Sequence, residues 1–177
     1  MDLPCRAPTV CLMDWAVVTV QWLHVLLGVL WFGTVLSLDV IVIPAIGRLP
    51  IVAQREISSA IGARGTPIFR VAVPAIIALG IIRGTVMGPI KTLDDVFGSA
   101  YGLTWLTALI VTLLTYLFGL RVIVPALRTM DLAAVEPDGS PTLALIASTD
   151  RVKRLVGLEL LGFLAIFTCM ILMRFGL

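Results

Sequence analysis

The chain has 177 residues, of which 59% are hydrophobic and 14% are charged, and its mean hydropathy is +1.08. An ordinary soluble domain is about 45–50% apolar and about 25% charged, so this composition indicates a protein of the lipid bilayer. A formal net charge of +2, without any long basic run, argues against nucleic acid as a partner.

Four apolar runs follow one another along the chain, at residues 15–46, 67–88, 100–127 and 152–175. Each reaches the roughly 20 residues that a helix needs to cross about 30 Å of hydrocarbon. Helices are expected because an open strand would leave backbone groups unpaired in lipid. The first run is too long for the apolar core of a signal peptide, so it predicts a retained span. The predicted fold is all-α: residues 1–177 form one domain, an integral membrane four-helix bundle.

The connections predict the orientation in the membrane. Loop one (residues 47–66) and loop three (residues 128–150) lie on the same side of a four-span bundle. Nine of the 13 basic residues fall in or near these two loops. The other four are Arg6, Arg83, Lys91 and Arg174. The positive-inside rule then predicts cytoplasmic loops one and three with both termini outside. We also expect a short interfacial helix in loop one and a flexible turn at "EPDGSP" in loop three.

Four ionisable residues fall toward the predicted cytoplasmic ends of the spans, one in each. They are Asp39, Arg70, Arg121 and Glu159. Two acids and two bases at one level predict an intramembrane ion-pair network that locks the helices together. Two alternatives stay open: a proton or ion relay through these groups, and snorkelling of the two arginines to the interface.

The only histidine, His24, lies in the stretch "WLHVLLGVLWFG" near the start of the first run. Gly28 and Trp31 share its helix face at the i+4 and i+7 positions. The residues predicted at a similar depth in the other spans are Arg83, Met87, Thr107 and Met170. A lone histidine here packs in the core with a hydrogen bond across helices, ligates haem, or contributes to a copper site. Arg83 fits the haem interpretation, because a cation at that depth pairs with a propionate.

The three cysteines divide into two groups. Cys5 and Cys11 precede the first run on the predicted outer side, where an oxidising compartment would allow a disulfide. Cys169 lies inside the fourth run and is expected to be a small core residue.

Several stretches resemble the copper resistance protein D (CopD) superfamily. "LHVLLGVLWFGTVLSLDVIVIPAI" is similar to its first helix, where a histidine is followed by Trp-Phe/Leu-Gly and then by a proline. "SAYG" (Ser99–Gly102) is similar to the family's Ser/Thr-Pro-Tyr-Gly opening of a later helix. "RVKRLVGLELLGFLAIF" (Arg151–Phe167) is similar to its Arg-x-Leu-Val-x-Leu-Glu helix. The resemblance extends from about Val20 to Leu172.

This resemblance implies a compact four-helix unit and a redox cofactor. The superfamily includes copper-transport proteins and HemJ-type protoporphyrinogen oxidases, which look like haem proteins that depend on a first-helix histidine and a third-helix lysine. His24 matches that histidine, whereas "YGLTWLTALIV" has Thr107 or Ala108 where the lysine is expected. The implied protein binds haem b through His24, with Arg83 near a propionate and Met87 or Met170 available as a second axial ligand. Its implied role is redox chemistry or electron transfer, which admits a haem-dependent oxidoreductase.

Two other functions stay open: a copper transport or resistance protein, and a cofactor-free structural subunit of a larger membrane complex. All three interpretations place the chain in the cell (inner) membrane in contact with lipid. The partners we expect are a redox protein, a larger membrane complex or further copies of the chain.

Overall fold

The computed structural model describes the backbone of residues 8–177 and the side chains of residues 15–177. The chain is 83% helical, and the described residues form no strand. Four long apolar helices are present, which confirms the predicted all-α membrane bundle. The predicted pairing of Cys5 with Cys11 concerns side chains outside the described residues.

The long helices are named span 1 to span 4 and comprise Trp15–Ile46, Ile51–Gly84, Ala100–Asp131 and Leu143–Arg174. Span 1 continues a helix that begins at Pro8, and it consists of α-helix to Ser37, a π-helical segment at Leu38–Val42, and α-helix at Ile43–Ile46. Span 3 has the same order of helix types, with α-helix at Ala100–Phe118, a π-helical segment at Gly119–Ile123, and α-helix at Val124–Asp131. A short helix at Leu93–Phe97 lies between spans 2 and 3.

Two spans begin earlier than the apolar runs predict. Span 2 begins at Ile51 instead of residue 67, and span 4 begins at Leu143 instead of residue 152. A helix pairs its own backbone N–H and C=O groups in lipid and in water alike. It can therefore extend past the membrane boundary into polar residues, which an apolar run does not include. The short interfacial helix expected in loop one is therefore the first part of span 2, which continues through Pro67 and Pro74.

Side-chain caps define where spans 3 and 4 start. The Ser99 hydroxyl accepts a hydrogen bond from the Gly102 amide at 2.9 Å, and the Thr142 hydroxyl accepts one from the Leu145 amide at 3.2 Å. Each bond satisfies an amide that the first helical turn leaves without a partner. Within "SAYG", the serine thus caps the helix. Gly102 packs directly on the backbone of Asp95 and Val96, where a Cβ would overlap.

An aromatic core joins all four spans. Span 1 packs chiefly against span 2 and span 3 against span 4. Trp31, Val73, Ile76 and Phe163 form the buried core, which we call the Trp31 cluster. The rings of Trp31 and Phe163 meet edge to face with centroids 4.7 Å apart, and Tyr116 of span 3 meets Trp31 edge to face at 6.4 Å. The cluster therefore connects the two helix pairs.

Replacing Phe163 should loosen this core. Phe163 is 2% exposed, so Phe163→Ala removes buried contacts and should lower the free energy of unfolding by about 3 kcal/mol. The matched control is Leu164→Ala, because Leu164 is 50% exposed and its truncation should change stability by no more than about 0.5 kcal/mol. Thermal unfolding of both variants in detergent measures the difference. Equal losses would contradict the assignment of Phe163 to the core.

The turn between spans 2 and 3 is held by Asp95. Its carboxylate accepts hydrogen bonds from the Lys91 amide at 2.9 Å and the Thr92 amide at 2.8 Å, while the Thr92 hydroxyl accepts one from the Asp95 amide. This is a capping box at the start of the short helix. Hydrogen bonds from Lys91 and Thr92 lower the pKa of Asp95 below its ordinary value of 3.8.

Protonation of Asp95 in acid should weaken the hydrogen bonds that hold this turn. A lowered pKa in the folded state means that the carboxylate stabilises the turn above pH 3.8 and that this contribution is lost as the pH falls through the lowered pKa. Hydrogen-exchange protection of the Lys91 and Thr92 amides should fall over that acid range. In Asp95→Asn the protection should already be low at neutral pH and should not change with acid. Wild-type protection that stays constant into strong acid would contradict the role of Asp95.

Candidate functional site

His24 is hydrogen-bonded to the backbone of span 2. Its Nδ1–H donates to the Ile76 carbonyl oxygen at 3.0 Å. The ring lies against Gly80, where a Cβ would come within 3.1 Å of His24 Cε1. Because a carbonyl oxygen can only accept, Nδ1 carries a proton, and in the neutral ring Nε2 then carries the lone pair. The side chain is partly exposed, between spans 1 and 2.

Trp105 approaches the same stretch of span 2 from span 3. Its indole N–H donates to the Gly80 carbonyl oxygen at 3.3 Å. The ring covers Gly84, leaving no room for a Cβ there. Gly80 and Gly84 thus allow an imidazole and an indole to reach the span 2 backbone, as small residues do where membrane helices pack closely.

Arg83 adds a further polar group near the end of span 2, beyond the contacts of His24 and Trp105 with Gly80. Its Nε–H donates to the Gln21 side-chain oxygen at 3.0 Å, and an Nη1–H donates to the Met87 carbonyl oxygen at 3.3 Å. Gln21 precedes His24 by three residues, so it lies on the same side of span 1. A guanidinium has five N–H donors, and these two bonds leave others for a ligand.

The other residues predicted around His24 lie in different settings. Trp31 belongs to the aromatic core two helical turns further along span 1. The position of Gly28 is open, with nothing within 4 Å of where a Cβ would stand. Thr107 is exposed, and its hydroxyl donates to the Leu103 carbonyl of its own helix. The side chains of Met87 and Met170 are half-buried. The direct contacts near His24 include those of His24 and Trp105 with Gly80 and that of Arg83 with Gln21.

A second polar site lies at the other end of the bundle, where two carboxyl groups approach each other. Asp39 in span 1 and Glu159 in span 4 are close enough to interact electrostatically. Asp39 Oδ2 is buried and has no hydrogen-bond partner among the described residues. Glu159 Oε1 lies against Gly119, 3.0 Å from where a Cβ would stand. We call this arrangement the Asp39–Glu159 pair.

The predicted ion-pair network does not form around this pair. Arg70 and Arg121 are exposed, and among residues 15–177 the one ion pair within 4.0 Å is Lys153 with Asp150, outside the network. Asp39 and Glu159 therefore have no basic partner within 4.0 Å among the residues whose side chains the structure describes. The snorkelling of the two arginines to the interface stays a prediction.

Both π-helical segments lie at this level. Asp39 lies in the segment of span 1, and Glu159 packs on Gly119, the first residue of the segment of span 3. In each case a proline follows, Pro44 or Pro125. Single π turns inside α-helices are rare and occur frequently at functional sites. The site therefore combines unpaired acids with locally widened helices.

Sequence reasoning missed the direct partners of the two sites. Gln21, Ile76 and Gly80 contact the predicted residues His24 and Arg83, and Gly119 contacts Glu159. The sequence does carry a signal for the two π-helical segments. It is a charged residue followed four or five positions later by proline, in "DVIVIP" and "RVIVP". The carbonyl of Ile76 has no sequence signal, since every residue has one.

Comparison of the chain with protein-family models, curated proteins and solved structures gave no match. The resemblance to the CopD superfamily therefore remains a prediction. The function has to be argued from the two polar sites. The four apolar spans establish a multi-pass integral membrane protein.

Proposed function

We propose that the chain is a membrane protein that binds haem b through His24 and serves in redox chemistry or electron transfer. The observation that supports this is the hydrogen bond from His24 Nδ1–H to the Ile76 carbonyl oxygen. Metal-binding histidines almost always donate their second ring N–H to a carbonyl or carboxylate, which fixes the ring and the tautomer. In this arrangement Nε2 is the nitrogen that can ligate iron.

Two features near His24 suit a flat cofactor, an open position at Gly28 and the cation Arg83. The position of Gly28 is open one turn along span 1, which leaves space beside the imidazole for a planar ring. Arg83 is held by Gln21 and has N–H groups to donate to a propionate. Bound haem would supply a one-electron couple, and the chain would hold the iron, fix the imidazole and pair the propionate. Met87 and Met170 would be the candidates to hold the iron together with His24.

Replacement of His24 tests the ligand directly. His24→Ala removes the only imidazole, so any Soret band of the purified protein should be lost. The control is Leu23→Ala, the neighbouring position, which is 38% exposed and should keep the band. Visible spectra of the two variants in detergent, with their Tm values as a check on folding, give the comparison. A folded His24→Ala protein with an unchanged spectrum would contradict the proposal.

The same hydrogen bond would also be made by a histidine that only packs between two helices. A spectrum without haem bands would favour the cofactor-free structural subunit. The copper alternative would require metal content that changes on replacing Met87, Met170 or the Cys5 and Cys11 pair. Among the described residues no group of three His, Cys, Asp or Glu side chains is placed to hold a metal ion. Among the described residues, copper would depend on thioethers and His24, which is a sparse ligand set.

The Asp39–Glu159 pair favours a second candidate function, an intramembrane proton relay. Ionisable groups at membrane depth are costly, so they mark a functional site by default. Two neighbouring carboxyl groups in apolar surroundings can share a proton and pass it between them. The buried, unpartnered Oδ2 of Asp39 is the observation that favours this role over a structural one. A redox cofactor and a proton site in one bundle would allow electron and proton movement to be linked.

Proton flux measures this second function. In liposomes carrying the protein and an internal pH dye, wild type should dissipate an imposed pH gradient faster than Asp39→Asn or Glu159→Gln. Both variants should fall to the rate of protein-free liposomes, because each removes one partner of the exchange. Glu136→Gln, which changes an exposed loop carboxylate, should keep the wild-type rate. Equal rates for wild type and Asp39→Asn would rule out the relay.

A further inference from the structure

A cavity lies where the loop-one and loop-three ends of the bundle meet. It has a volume of about 510 Å³ and is walled by the start of span 2, the end of span 3, the loop that follows and the first turns of span 4. Small-molecule sites typically occupy about 300–1,000 Å³. The cavity is separate from His24 and from the Asp39–Glu159 pair, none of whose residues line it.

The lining of this cavity is divided between apolar and charged groups. Leu49, Ile51 and Ile146 are among its apolar side chains. Two cations and two acids supply its charge. They are Arg55, Lys153, Asp131 and Asp150. An apolar surface beside balanced charges suits an amphiphile whose polar end carries both signs.

The charges are only partly engaged with one another. Arg55 donates one hydrogen bond to the Ala133 carbonyl and lies within electrostatic range of Asp131. Its guanidinium has five N–H donors, so most stay available. Lys153 and Asp150 are 3.9 Å apart, and both side chains are more than half exposed, which makes their pairing weak. A ligand that binds these charged groups would therefore have to replace only weak contacts within the protein.

The position of the cavity indicates where such a ligand comes from. Spans 1 and 3 end here, at Ile46 and Asp131, and spans 2 and 4 begin here, at Ile51 and Leu143. The apolar runs of spans 1 and 3 end close to these residues, at 46 and 127, so this end of both spans is expected at the level of the lipid headgroups. The cavity is thus placed to meet headgroups from the membrane and dissolved molecules from the water.

We propose that this cavity binds a phosphate ester that carries a primary amine, as in the headgroup of phosphatidylethanolamine. Arg55 and Lys153 bind the phosphate, because guanidinium and ammonium groups donate charge-assisted hydrogen bonds to its oxygens. Asp131 and Asp150 accept hydrogen bonds from the ammonium group. The apolar side chains contact the acyl chains. A choline headgroup has no N–H to donate, so it should bind more weakly.

Thermal unfolding of the full chain in detergent tests this inference. Short-chain phosphatidylethanolamine should raise the Tm by about 5 °C at a concentration ~100 times its Kd. The matching phosphatidylcholine and phosphatidylglycerol should raise it less. The shift should shrink in Arg55→Gln and Lys153→Gln, and it should persist in Arg48→Gln, which removes an exposed arginine outside the cavity. Lys153 is exposed, so its variant tests the idea even if Arg55→Gln fails to fold.

Adding O-phosphoethanolamine, which has no acyl chains, distinguishes a dissolved ligand from a membrane lipid. A full shift with this compound supports the site with a dissolved ligand, and a shift only with the lipid supports it with a membrane ligand. Equal shifts with the ethanolamine and choline lipids would overturn the proposal, as would an undiminished shift in both Arg55→Gln and Lys153→Gln.

Discussion

Lipid supplies no hydrophobic force between helices, so close packing and hydrogen bonds across helices must hold this bundle together. The Trp31 cluster meets this constraint at its centre, because Trp31 contacts Phe163 of span 4 and Tyr116 of span 3 while it packs beside Val73 and Ile76 of span 2. Together with the hydrogen bond from Trp105 to the Gly80 carbonyl oxygen, that contact joins the pair formed by spans 1 and 2 to the pair formed by spans 3 and 4. The two polar sites depend on the same core, since it sets which helix faces meet.

The polar sites use the core in different ways. At one end, Gly80 and Gly84 bring His24 and Trp105 onto the backbone of span 2, where their N–H groups find carbonyl partners. A rigid imidazole with a defined tautomer follows from that packing. At the other end, Asp39 and Glu159 lie within electrostatic range of each other, and neither has a basic partner within 4.0 Å among residues 15–177. The first arrangement suits a fixed ligand and the second suits a mobile proton.

The number of spans and the C-terminal end of span 1 could be predicted from the sequence, because runs of apolar residues must match the thickness of the bilayer. The starts of spans 2 and 4 could not, since a helix continues into polar sequence without any hydropathy signal. The proximity of Asp39 and Glu159 could be predicted from their positions along the apolar runs, but the exposure of Arg70 and Arg121 depends on how each helix is rotated. The partner of His24 depends on how spans 1 and 2 pack, which a single sequence does not reveal.

The measurement that tests the central claim most directly is the visible absorption spectrum of the purified protein, recorded oxidised and after reduction with dithionite. A histidine-ligated haem predicts a Soret band in the oxidised protein and sharp α and β bands after reduction. A folded, colourless protein that also takes up no added haem would contradict the account. His24 would then be a packing residue that joins spans 1 and 2.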